Sequence, residues 1–173
     1  MRDALSIDVV VESPLWEREP GAEAVVRQAL AEAAAALSTK PAELAIVLTD
    51  DSAIRTLNRE WRDIDRPTNV LSFPMQGLPP TSGGLTGGPP VLLGDIVIAY
   101  ETTAEEARAE SKPFRDHLAH LAVHGFLHLL GYDHDSDSDA EAMEGIERSI
   151  LARLDIPDPY VARDLVAMAG PNA

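Results

Sequence analysis

The chain of 173 residues contains no cysteine, which excludes disulfide scaffolds, zinc ribbons, thiolate clusters and cysteine nucleophiles. Any metal must be held by His, Asp or Glu. Positive charge is scarce: 14 Lys and Arg against 29 Asp and Glu leave a net charge of -15, which repels polyanions and, taken alone, argues against nucleic acid as a partner. Long apolar runs are also missing. Glu32 interrupts the Ala-rich stretch Ala29–Leu37, and Asp3, Asp8 and Glu12 break up the N-terminus, so neither a membrane span nor a secretory leader is read. The expectation is a cytoplasmic protein. With 45% hydrophobic and 25% charged residues, the chain can bury a core without staples, as one domain over residues 1–173.

What is present is organised in alternating patterns. Ile7–Val11 and Leu44–Leu48 read as strands, and Gly21–Ser38 between them carries Val25, Val26, Ala29, Leu30, Ala33 and Leu37 at helical spacing. Asp50 or Asp51 can cap a helix through Asn58, followed by a third strand over Asn69–Phe73. Residues 76–90 hold Gly77, Gly83, Gly84, Gly87 and Gly88 with four prolines, which reads as a mobile loop rather than a linker between domains. Val91–Ala99 resumes as a strand, Thr102–Ser111 as a helix, and the remainder is helical. The expected fold is a single α+β domain with a mixed sheet of about four strands.

All five histidines, His117, His120, His124, His128 and His134, fall within one short stretch. From Phe114 to Leu130 nearly every other position after Asp116 is apolar, so a helix here is buried on most sides. At about 100° per residue, His117, His120, His124 and His128 occupy a sector of roughly 80°. A buried stripe of imidazoles is costly unless a metal, a negative group or hydrogen bonds face it. His124 and His128, four residues apart, can reach one ion, and Gly131 can end the helix and return the chain to bring His134 to the same point. The spacing H-x-x-x-H-x-x-G-x-x-H is that of three-histidine zinc proteases, except that Gly125 replaces their general-base Glu. Without that proton carrier, a phosphodiester is a better target than a peptide bond. His117 and His120 are expected to border the site rather than coordinate, and Asp133 either orients a ligand imidazole or simply forms a turn. The acidic run Asp133 to Glu144 fails as a calcium loop, since the required glycine is absent, and reads as the solvated start of a helix.

Four arginines, Arg55, Arg59, Arg62 and Arg66, sit against only Glu60, Asp63 and Asp65, the one region of net positive charge. A guanidinium beside a metal can carry phosphate charge in a transition state. Asn69 and Ser72 on the third strand can line the same cleft.

The motif HGFLHLLGYDH, His124–His134, together with NREWRDIDRPTNVLSFP, Asn58–Pro74, and LGDIVIA, Leu93–Ala99, resembles the signatures of the bacterial YbeY family of rRNA maturation factors. The resemblance runs from about Leu57 to Tyr160, and the N-terminal third matches in pattern only. It implies a zincin-like metal-site helix and one Zn2+ held by His124, His128 and His134, with Arg62 and His124 as the catalytic positions. It also implies a zinc-dependent endoribonuclease specific for single strands. The implied role is 16S rRNA 3'-end maturation and ribosome quality control, with rRNA and the ribosome or its proteins as partners. Two alternatives stay open: a zinc metallopeptidase-like hydrolase, and a non-catalytic, metal-stabilised ribosome-binding adaptor whose fourth ligand would be His120.

Overall fold

The β-branched runs pair into one sheet. In the computed structural model, which describes residues 5–75 and 91–160, β1 (Leu5–Val11), β2 (Ala42–Thr49), β3 (Val70–Pro74) and β4 (Val91–Ala99) lie in the order β1-β2-β4-β3. β1, β2 and β4 run parallel and β3 is antiparallel to β4, so the four-stranded mixed sheet read from the sequence is present. α1 (Ala22–Ala36) joins β1 to β2, and α2 (Asp51–Arg62) joins β2 to β3. α3 (Tyr100–Ala109), α4 (Phe114–Leu129) and α5 (Asp137–Arg153) follow β4. The Gly/Pro segment 76–90 lies outside the described residues.

Alternation along the strands divides the core in two. Leu44, Ile46, Leu48, Ile96 and Ile98 pack with α1, α4 and α5, while Val97, Ala99 and Leu71 meet Ile54 of α2 on the opposite face. A strand covered on both faces is apolar throughout, which accounts for the unbroken run Ile96–Ala99. The central element of the larger layer is α4, in which Leu118, Ala122, Val123, Phe126 and Leu127 are fully buried. Each such Leu or Phe contributes about 1.5–3 kcal/mol by leaving water. Their burial fixes the opposite stripe of histidines toward β3 and a cleft.

α2 extends one turn beyond the expected end at Asn58. Asp50 caps its start, its Oδ1 accepting from the Ala53 N–H at 3.0 Å. The helix stops where Asp63 takes the left-handed conformation at φ 59°. Arg59 and Arg62 in the last turn face the negative end of the helix dipole. Buried Asn58 donates from Nδ2 to the Arg66 carbonyl at 2.9 Å, pinning the segment between α2 and β3. The extra turn places Trp61 and Arg62 on helix rather than on loop.

Gly125 sits where α4 crosses the sheet. A Cβ built there would lie 2.8 Å from Ile96 Cγ2 and 3.2 Å from Ser72 Oγ, and the Ser72 hydroxyl donates to the Gly125 carbonyl at 3.1 Å. The missing side chain is thus what lets helix and sheet approach. Gly125→Ala is expected to destabilise the fold by roughly 1–3 kcal/mol through overpacking, read as a lower urea midpoint. An unchanged midpoint would show that Ile96 yields without cost.

Candidate metal centre

The C-terminal end of α4 is built to return the chain. Gly131 adopts φ +102°, its N–H bonds to the His128 carbonyl at 3.0 Å, and the Tyr132 N–H reaches back to the Leu127 carbonyl at 3.0 Å. This pair of bonds is a Schellman motif, in which glycine takes the left-handed position at low cost. α5 then starts at Ser136, whose Oγ accepts from the Asp139 N–H at 3.0 Å, with Asp137 and Asp139 in its first turn. The acidic run is the favourable start of a helix, as read from the sequence. Between these two helix ends His134 is held against α4, its ring stacked 5.9 Å from His124 and edge-on 5.1 Å from His128.

Three imidazoles consequently converge. His124, His128 and His134 each offer a nitrogen, all within 4.8 Å of one another, and Nε2 of His124 lies 3.1 Å from Nε2 of His128. Two nitrogens on one tetrahedral zinc at about 2.0–2.1 Å stand roughly 3.3 Å apart, so the spacing fits a single ion. Burial, reinforced by the neighbouring His124 and His134, lowers the His128 pKa, favouring the neutral form that a metal requires. Among the described residues no fourth His, Asp or Glu atom joins these three.

The carboxylate that organises the cluster escapes the motif reading. Glu147 of α5 is fully buried. Its Oε1 lies 3.1 Å from His124 Nδ1, and its Oε2 lies 2.6 Å from His120 Nε2 and accepts from the Tyr160 hydroxyl at 2.7 Å. With His124 Nδ1–H directed at Glu147, Nε2 presents its lone pair toward His128 and His134. Burial alone would raise the Glu147 carboxyl, yet the hydrogen bonds from His120 and His124 outweigh it and lower its pKa to about 2. The signal was present in the sequence: Glu147 interrupts the apolar stripe Met143, Ile146, Ile150, Leu151 of α5.

His120 and His117 border the site. His120 spends Nε2 on Glu147 and lies 3.2 Å from the Tyr160 hydroxyl. It forms a second possible ligand group with His124 and Glu147, which shares only His124 with the three-histidine set. His117 Nε2 lies 2.8 Å from Glu106 Oε1 of α3, which also accepts from Asn69 Nδ2 at 2.9 Å. Half-burial pushes the Glu106 carboxyl up, but His117 and Asn69 hold it below the usual carboxylate range. Asn69 and Ser72 line the cleft, although both are already committed, Asn69 to Glu106 and Ser72 to the Gly125 carbonyl. Asp133 accepts from the Asp135 N–H at 3.3 Å, the turn role of its two readings.

Arg62 opens onto the same cleft, a space of about 970 Å³ shared with His120, His124, His128 and His134. Arg55 is bonded to Asp65 at 2.8 Å and Arg59 approaches it at 3.9 Å. Glu60 and Asp63, the acidic residues nearest Arg62 in sequence, do not pair with it, and among the described residues its guanidinium has no carboxylate partner, which lets it meet an anion in the cleft.

Linkage gives a test of the Glu147 hub in the metal-free protein. The folded carboxyl titrates about 2 against an ordinary value of 4.5, so its contribution to stability is complete above that ordinary value and disappears as pH falls toward 2. Urea unfolding in chelator should show wild type more stable than Glu147→Gln at pH 6, with the gap narrowing below pH 4.5 and closing only as pH approaches 2. A gap independent of pH would remove the ionised carboxylate from the account.

The chain is similar to known proteins along most of its length. The family model described as endoribonuclease YbeY matches residues 15–155, reaching into the N-terminal third, where the motifs were silent. The chain is 56% identical over 158 residues to the endoribonuclease YbeY of Bradyrhizobium diazoefficiens, covering 90% of this chain and 85% of that one. It is 58% identical over 155 residues to that of Nitrobacter winogradskyi, covering 88% and 80%. With that of Rhodopseudomonas palustris strain BisB18 the identity is 56% over 162 residues, covering 92% and 94%. From the fold, the histidine cluster and these relatives together, the chain belongs to the endoribonuclease YbeY family.

Proposed function

We propose that the protein is a zinc-dependent endoribonuclease acting on single-stranded RNA, with His124, His128 and His134 as ligands of one Zn2+ and Arg62 as the residue that meets the scissile phosphate. The observation that carries this reading is the convergence of three imidazole nitrogens in a cleft that also receives the Arg62 guanidinium, which among the described residues has no carboxylate partner. When bound, the ion supplies Lewis-acid stabilisation of negative charge and acidifies water toward a pKa of about 7. The chain's own residues do the rest. Glu147 holds His124 in one tautomer, burial keeps His128 neutral, and Arg62 offers a fork of N–H donors matched to phosphate oxygens.

Both alternatives meet physical objections. The peptidase reading needs a carboxylate base beside the metal: position 125 is packed against Ile96 and Ser72 and offers none, which leaves Asp133 in the cleft, engaged in its turn by the Asp135 N–H, to serve instead. The adaptor reading needs a closed structural site, whereas His120 is bonded to Glu147 and stands apart from the three-histidine set. The cellular role, 16S rRNA 3'-end maturation and ribosome quality control in the cytoplasm, rests on the family resemblance. Among the described residues no helix is long and apolar enough to cross a membrane. A net charge of -15 makes affinity for free RNA weak and salt-sensitive, so delivery by the ribosome or one of its proteins is part of the proposal.

Purified protein should cleave a single-stranded RNA, and chelator should abolish the activity. Arg62→Ala is expected to lose about 10²–10³ in kcat while keeping its metal content, and His124→Ala should lose both. Equal cleavage by wild type and both variants would mark a contaminating nuclease and sink the assignment. Glu147→Gln should bind Zn2+ roughly 10–100-fold more weakly in competition with a chromogenic chelator. Unchanged affinity would show that Glu147 does not orient the site.

A further inference from the structure

The two tryptophans have opposite surroundings. Trp16 is 3% exposed, packs edge-on against Tyr100 and Phe114, and donates from Nε1 to the Thr49 carbonyl at 2.8 Å. It belongs to the core. Trp61 is 69% exposed, an unusual position for a large apolar ring that contributes little to folding there. It is nevertheless held in place. Its ring meets Phe73 of β3 edge-on, 6.1 Å between centroids at 66°, and it stands on the last turn of α2 rather than on loop.

The chain connects this ring to the cleft. The next residue, Arg62, lines the cleft, and so do Ser72 and Pro74, whereas Phe73 between them points to the opposite, α2 face of the sheet. Because β3 is an edge strand, Trp61 stands across that edge from the cleft lining, where a chain leaving the cleft over β3 passes. Consecutive side chains on a helix diverge by about 100°, so Arg62 and Trp61 reach different parts of one bound chain. The surroundings select its chemistry. Arg62 lacks a carboxylate partner among the described residues, so the rim offers a cation beside an open aromatic face, the pairing that takes a phosphate and an adjacent base.

We propose that Trp61 is a stacking platform for an unpaired nucleobase, contributing to recognition of single-stranded RNA at the edge of the cleft. This rests on the endoribonuclease reading and adds the part of the substrate that is held and the residue that holds it. A duplex hides its base faces within its own stack, so the platform selects strands whose bases are free. Stacking is largely independent of ionic strength. It supplies affinity that an acidic protein cannot draw from long-range attraction.

The test uses the zinc-loaded protein and a single-stranded RNA 12-mer, with tryptophan emission followed by stopped flow before turnover. Binding should quench Trp61 emission saturably, and the same sequence as a blunt duplex should not. In Trp61→Ala, which leaves Trp16 as the reporter, the quench should vanish and affinity by fluorescence anisotropy should fall roughly 10-fold. Trp61→Tyr should stay within about 3-fold of wild type, because it keeps a stacking face. Circular dichroism and urea midpoints should match across all three, since the side chain is mostly in solvent. If wild type binds and cleaves RNA while Trp61→Ala binds as tightly, or duplex quenches equally, the platform is overturned and the endoribonuclease reading stands. If wild type neither binds nor cleaves the oligomer, both fall together.

Discussion

Helix α4 is apolar on every side but one, and the burial of those sides dictates where everything else stands. Phe126 and Leu127 sit in the large core, Gly125 lets the helix touch β4 at Ile96, and Ser72 ties it to β3 through a backbone carbonyl. Once these contacts are made, the helix has no rotational freedom left. The stripe His117, His120, His124, His128 must then face the space between β3, α3 and α5.

Such a stripe brings an electrostatic problem with it, because clustered imidazoles repel one another when charged and need partners when neutral. The fold answers with carboxylates from two further helices. Glu106 on α3 takes His117, and Glu147 on α5 takes His120 and His124 together. The Nδ1 atoms of His117 and His120 are buried with no partner among the described residues, so each ring is held from its Nε2 side, His117 by Glu106 and His120 by Glu147 with the Tyr160 hydroxyl. The helices after β4 thus close the core and set the direction of the His117, His120 and His124 rings.

Much of this was legible in the sequence, for a physical reason. The strands, α4 and the three-histidine spacing are written in contiguous residues, where periodicity translates directly into faces, and Gly131 carries its own signal as a left-handed cap. The last turn of α2 was not legible, because Asn58–Arg62 has no apolar repeat and its stop is an aspartate at positive φ rather than a glycine. Glu147 was missed for another reason. It stands in an acid-rich stretch where a carboxylate looks solvated, and its partners come from a different helix. The steric role of Gly125 likewise depends on β4 and β3. Sequence alone shows that a base is missing there, and only packing shows why a side chain does not fit.

The Schellman turn at Gly131 divides the site by how its parts are held. Two of the three converging nitrogens, those of the half-buried His124 and His128, ride on α4, whereas the third, on His134, is exposed on a short connection held by a cap at either end. Core packing therefore places the first two rings, and local backbone geometry places the third. A change at Gly131 or Ser136 would move one corner of the triangle and leave the other two where the core puts them.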